Sequence, residues 1–366
     1  MKVKFWEKKP ATKEPKKKKS FAREWGDAIL FAVVAASLIR WATFEAYTIP
    51  TPSMEKSLLV GDFLFVSKLH YGPRTPITPL QVPLTHQTIW GTNIPSYSDA
   101  IQLKSYRLPG FSEVKQGDVV VFNFPPEEQH PADLRTNYIK RCVAVAGDSI
   151  EVRNMQVIVN GVPMKNPEKL QYSYLLATST ILNEDFFLSR DITDIWSYQG
   201  GYRVNLTPEK AEELAKLDFV KDVQLLKSEP GEAETDIFPH VPSVYKWNKD
   251  FFGPVYVPKE GATVAITPET LPLYEAVILK YEHNENAEVR DGKLYLDGKE
   301  VNQYTFKQNY YFMMGDNRHD SLDSRYWGFV PEDHVVGKAV MIWMSTDPHG
   351  TFLNKIRWNR IFDIIN

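Results

Sequence analysis

The sequence predicts a mainly β protein: an antiparallel β-sheet core with an inserted α+β cap domain and an N-terminal transmembrane helix. Three observations predict it. Short β-branched or aromatic runs bounded by Gly, Asp or Pro recur, as in "DFLFVSKL", "GDVVVFNF", "NYIKRCVAVA" and "KAVMIWMS". Asn160-Gly161, Asp291-Gly292 and Asp297-Gly298 are hairpin-turn dipeptides. One apolar run, "AILFAVVAASLI", stands near the N-terminus, and no second run of that length follows.

The anchor comes first in the chain. Residues 1–25 hold ten Lys/Arg and three Glu, a net of +7, while the remainder holds 33 Lys/Arg and 43 Asp/Glu, a net of −10. A basic block beside an apolar run fits the positive-inside rule; on charge alone, a nucleic-acid-binding tail is the alternative. From Trp25 to Phe44 the chain would span ~30 Å as a helix, enough to cross the hydrocarbon. Arg40 can snorkel outward, and Trp25 and Trp41 suit the two interfaces. Phe44-Glu45-Ala46 has a bulky residue where a cleavage site wants a small one, so 25–45 reads as an uncleaved anchor with 1–24 cytoplasmic.

The β-domain then reads as 46–164 and 288–366, interrupted by 165–287. Within the interruption, "LTPEKAEELAKLDF" (206–219) has helical spacing and a Thr207-Pro208-Glu209 start. Prolines in "PRTPITPLQVP" (73–83) predict a stiff exposed loop. At 366 residues with 43% hydrophobic content, the chain can bury a substantial core. The single cysteine, Cys142, excludes an internal disulfide, and the eight histidines lack metal-ligand spacing, so no metal and no cofactor are expected.

Three stretches carry candidate chemistry. In "YTIPTPSMEK", Pro50 and Pro52 push Ile49 and Thr51 into extended backbone, so 49–53 reads as a rigid strand ending at Ser53. A plain linker has the same composition. A serine nucleophile needs a base, yet no histidine sits in a triad motif and G-x-S-x-G is absent. A lysine neutralised by burial is the other route. In a strand over "NYIKRCVAVAGD", Tyr138, Lys140, Cys142, Ala144 and Ala146 share one face, placing Lys140 among small and apolar groups. Most strand lysines point into water instead. "MMGDNRHDSLDSRYWGFVP" (313–331) crowds together groups that hydrogen-bond one another, as suits a loop that folds over a site; a polar surface loop is the plainer reading.

In this order the stretches resemble bacterial signal peptidase I, the Ser/Lys endopeptidase of the S26 type, in an extended Bacteroidetes-like form. The resemblance covers roughly 25–163 and 300–345. It implies Ser53 as nucleophile and Lys140 as general base. It implies Ser321 as the serine that orients the amine, and Thr51 as an oxyanion-hole hydroxyl beside the Ser53 N–H. Asp323 and Arg325 match a structural ion pair, and Ile49, Pro50, Met54, Leu58, Tyr138 and Ile139 match small-residue substrate pockets. The chain departs from the family at Thr51-Pro52, where Ser-Gly is usual, at Lys56-Ser57 and at Ala146. None of these changes removes a catalytic group.

The expected protein is therefore a serine endopeptidase of the bacterial inner membrane, single-pass, with its catalytic domain on the periplasmic side. Its partners would be exported preproteins, cut after small-x-small sites, and membrane lipid, with no nucleic acid. A non-catalytic envelope β-protein of the same fold is the rival from another class. A self-cleaving Ser/Lys repressor is the rival from the same chemistry.

Overall fold

A computed structural model of the chain describes residues 20–351 and 354–365. Most of the expected cytoplasmic tail, 1–19, lies outside the described residues. The helix Phe21–Ala42 follows, with none of its residues buried. It starts ahead of Trp25 and stops short of 45. Thr43 N–H closes the last turn on Ile39 O, and Phe44–Thr48 leaves to pair with Asp62–Ser67. Among the described residues it is the one helix long and apolar enough to cross a membrane. Its end is tied to the rest of the chain: Arg40 Nε donates to Glu45 Oε1 at 2.6 Å, and Trp41 Nε1 to the Arg74 carbonyl at 2.7 Å.

The main sheet runs Phe44–Thr48, Asp62–Ser67, Val335–Ser345, Val119–Asn123, Asn137–Ala144, Tyr310–Met314, Val330–Pro331, with Asp363–Ile364 added beside Val335–Ser345. Every pairing in it is antiparallel. Val335–Ser345 pairs with three strands, and its register slips several times against Asp62–Ser67 and Val119–Asn123. Such bulges bend and twist a strand. The apolar run "VVVF" is explained by burial on both faces. Val119 and Val121 pack with Leu64 and Val66, while Val120 and Phe122 pack with Cys142 and Met313.

The hairpin dipeptides fold as expected. Asn160 and Gly161 (φ 52° and 78°), Asp291 and Gly292 (51° and 71°), and Asp297 and Gly298 (49° and 75°) are all left-handed, as a type I′ turn requires. The 73–83 stretch is less free than its prolines suggest. The Asp133 carboxylate accepts from the Ile77 and Thr78 N–H groups and from Thr78 Oγ1, and Thr78 is buried.

The 165–287 segment divides in two. Its first half is a four-stranded antiparallel sheet ordered Val220–Leu225, Tyr172–Thr178, Gly201–Leu206, Ile195–Tyr198. The helix Pro208–Leu214, capped by Thr207 Oγ1 on Lys210 N–H, closes a separate core around Leu176, Val204, Leu206 and Leu214. The second half has no such independence. Phe252–Tyr256 pairs with Ser149–Arg153, and Leu271, Tyr274 and Ile278 join Val143, Ile150 and Phe312 in one core. The sequence reads as loops there and does not predict the strand Phe252–Tyr256; a five-residue strand carrying Gly253 and Pro254 has little strand pattern to read.

Candidate active site

Ser53 does not end a strand. Ile49 is held extended, its N–H donating to Asp62 O at 2.9 Å, and Thr51 is extended at φ −131°, ψ 153°. Pro52–Met54 then closes a 3₁₀ turn, with Glu55 N–H donating to Pro52 O at 2.8 Å. Pro52 suits its first position, where no N–H is needed. The second proline therefore starts a turn rather than prolonging the strand, and Ser53 stands on that turn.

Lys140 comes from Asn137–Ala144 and is 4% exposed. Its Nζ lies 2.6 Å from Ser53 Oγ and 3.0 Å from the Ile139 carbonyl, and 5.5 Å from the centre of the Tyr138 ring. Burial lowers its pKa from the usual 10.5 to about 8, against the opposing pull of Asp323 and Asp316. Two cations of these segments, Arg141 and Arg325, each face a carboxylate. Arg141 pairs with Asp316, Nη2 to Oδ2 at 2.7 Å, and Arg325 pairs with Asp323, Nη2 to Oδ2 at 2.7 Å. Desolvation outweighs two nearby carboxylates.

The 315–325 loop wraps this pair. Burial alone would raise the Asp323 carboxyl; Arg325 and the Gly315 and Arg325 N–H groups hold it below the usual range. Arg325 donates onward to the Arg318 and Lys249 carbonyls at 2.6 and 3.1 Å. Asp316 accepts from Ser57 Oγ at 2.6 Å, and the Asn317 N–H donates to the Ser53 carbonyl at 3.1 Å. Gly315 is forced by space. A Cβ there would stand 2.2 Å from Ser321 Oγ and 2.5 Å from Ser53 O.

The remaining expected residues divide. Ser321 lies against Gly315, but its buried Oγ makes no hydrogen bond. Ile49, Met54 and Leu58 are buried in one cluster, with Ile139 packed against it. Pro50 and Thr51 are exposed. Tyr138 belongs to the opposite face, stacked 4.2 Å from Phe124 and edge-on to Trp327.

Sequence reasoning did not single out Asp316, Asn317 or His319, although all three stand inside the quoted polar motif. The signal available was Arg141: it alternates away from Lys140 in the strand, and a buried guanidinium requires a carboxylate. His319 lies between Asp250, 2.8 Å from its Nε2, and the Ser173 N–H, which donates to Nδ1 at 3.2 Å. Asp250 has no signal in sequence, because it comes from a distant segment.

Comparison with known proteins bears on this arrangement. The family model described as "Signal peptidase, peptidase S26" matches residues 22–195 and 260–344, more than half of the chain. The chain belongs to that family. As a member of the S26 signal peptidases it is a hydrolase, a serine endopeptidase. It is 27% identical to signal peptidase I of Buchnera aphidicola subsp. Acyrthosiphon pisum, over 90% of this chain and 78% of that protein. It is 27% identical to signal peptidase I of Aquifex aeolicus over 86% and 82%, and 24% identical to that of Pseudomonas aeruginosa over 92% and 77%. The S26 match omits 196–259, which holds the strands Gly201–Leu206 and Val220–Leu225, the helix Pro208–Leu214 and nearly all of Ile195–Tyr198 from the first half of the insert, and the strand Phe252–Tyr256 from the second. The helix Phe21–Ala42 lies almost wholly within it.

Proposed function

We propose that this chain is a membrane-anchored endopeptidase that removes signal peptides from exported preproteins with a Ser53–Lys140 dyad. One observation carries the reading: a buried amine, lowered to about 8, lies 2.6 Å from a serine hydroxyl. When Lys140 is neutral, Ser53 Oγ–H donates to its lone pair. As Oγ attacks the scissile carbonyl, the proton passes to Nζ. Lysine then returns it to the leaving amine, and the acyl-enzyme is hydrolysed by a water that Lys140 deprotonates in turn. The Ser53 N–H and the Thr51 hydroxyl are the proposed donors to the oxyanion. Ser321 is the proposed orienting partner of the amine, and Asp323–Arg325 the pair that fixes its loop.

The substrate would bind as an added strand. Residues 137–140 pair with Val119–Asn123 on one side, and Tyr310–Met314 joins the other side only from Arg141 onward. Phe44–Thr48 ends the sheet. Open edges on both approaches to the dyad suit an extended peptide, with Ile49, Pro50, Met54, Leu58, Tyr138 and Ile139 setting the small-residue preference. The helix would cross the bacterial inner membrane once and hold the dyad at its periplasmic surface, where a signal peptide's small-x-small cleavage site emerges beyond its apolar core.

The test is to incubate the detergent-solubilised protein with a model preprotein and sequence the product's new N-terminus. Cleavage after a small-x-small site, lost in Ser53→Ala, is the expected result. An uncut preprotein would favour the non-catalytic reading.

A further inference from the structure

The insert reaches the nucleophile turn. Thr193 Oγ1 donates to Glu55 Oε1 at 3.2 Å, and Lys56 Nζ donates to the Asp191 carbonyl. Between these contacts, Asn317 Nδ2 donates both to the Pro52 carbonyl and to Asp194 Oδ2, each at 3.2 Å. Asn317 is fully buried, and its own N–H donates to Ser53 O. Asp194 is set in turn by Asn205 Nδ2 at 3.4 Å, and Asn205 by Ser173 Oγ at 2.6 Å, both within the insert's own sheet.

We propose that Asp194 is a positioning residue, through which the insert sets the turn that carries Ser53. The argument is one of donors and acceptors. A carbonyl and a carboxylate can only accept. Facing both, the Asn317 side chain must turn its NH₂ toward Pro52. Its Oδ1 makes no hydrogen bond on the far side. Without Asp194 one of the two amide protons loses its acceptor. Only the bond from Nδ2 to Pro52 O then opposes a flip, and a flip would set Oδ1 against Pro52 O, acceptor against acceptor. The turn would shift while the rest of the fold stayed.

This rests on Ser53 being the nucleophile, and the test separates the two claims. Ser53→Ala must be inactive for the reaction assignment to stand, whatever Asp194 does. In an active background, Asp194→Ala should lower kcat by roughly 10- to 100-fold, the range for a small misplacement of a reacting group, with KM within about twofold and Tm within a few degrees. Asp194→Asn, which keeps an oxygen acceptor, should recover most of kcat. Thr193→Val, which loses only the neighbouring contact to Glu55, should leave kcat within about twofold. If Asp194→Ala does not accumulate, Asp194→Gln moves the acceptor one carbon outward and should slow kcat in the same way. Wild-type kcat in Asp194→Ala, a change confined to KM, or equal loss in the Ala and Asn variants would each overturn the proposal.

Discussion

Gly315 and Ser321 stand so close that no side chain fits between them: a Cβ at 315 would come 2.2 Å from Ser321 Oγ and 2.5 Å from both Ser321 Cβ and Ser53 O. Gly315 therefore serves close approach, letting the polar loop lie flat on the Ser53 turn. Gly315→Ala should cut kcat by at least about 100-fold, since a shift near 1 Å in a reacting group costs that much. It should also lower Tm, and adding Ser321→Ala should not restore that stability, because the Ser321 Cβ and the Ser53 carbonyl remain in the way. Denaturation of the single and double variants checks this; recovery of Tm in the double variant would locate the clash in the hydroxyl alone.

Ser321 itself should separate activity from stability. Its Oγ is buried without a partner, and an unsatisfied buried hydroxyl costs about 1–3 kcal/mol. Ser321→Ala should leave Tm unchanged or slightly raised. If the hydroxyl orients the lysine amine during the reaction, kcat should still fall by about 10²–10⁴, the span assigned to general-base function. Denaturation and turnover measured on one preparation decide it. A lower Tm with normal kcat would make Ser321 a loop-structure residue.

Asp323 should tune the Lys140 amine. Burial lowers Lys140, and Asp323 is the first of two carboxylates that pull it back upward. Asp323→Asn keeps the shape and removes the charge, so the acidic limb of the pH–rate profile should move to lower pH. The same change leaves the buried Arg325 without its counter-charge, so stability should fall by about 3–5 kcal/mol, the usual effect of breaking a buried pair. A limb that moves upward would contradict the electrostatic account.

Lys140 should also mark the stability curve. Its folded pKa is about 8 against 10.5 for the ordinary side chain, so between those values the unfolded chain binds more protons and stability rises with pH. Below about 8 the buried ammonium carries its full penalty, of order 3 kcal/mol from the size of the shift; above 10.5 both states are neutral and the penalty is gone. Lys140→Met should be the more stable protein at pH 7 and lose its advantage toward pH 10.5. Denaturant midpoints of both proteins across that range test the sign.

The parts legible in the sequence were those set by local chemistry. Type I′ turns were readable at Asn160-Gly161 because few dipeptides tolerate two left-handed residues. The capped helix at Thr207-Pro208 and the apolar helix were readable for similar reasons, and Lys140 from its small neighbours. What stayed hidden depends on which distant groups meet. Pro52 reads as extended or as a turn start with equal ease, and only the Glu55 N–H to Pro52 O bond decides. Arg141 follows Lys140 directly in the sequence, and only the fold places Asp316 against it. Asp194 and Asn205 reach the site through a sheet whose position no local pattern encodes, and Asp250 reaches His319 from a distant loop.

The pH dependence of kcat/KM tests the central claim most directly, using a peptide with alanines before the scissile bond. If Lys140 is the base of the free enzyme, the rate should climb through an apparent pKa near 8, the value to which burial lowers it. Activity should fall away on mild acidification, before any carboxylate titrates. An acidic limb governed by a pKa near 4 would contradict the account, because a carboxylate would then be taking the proton from Ser53.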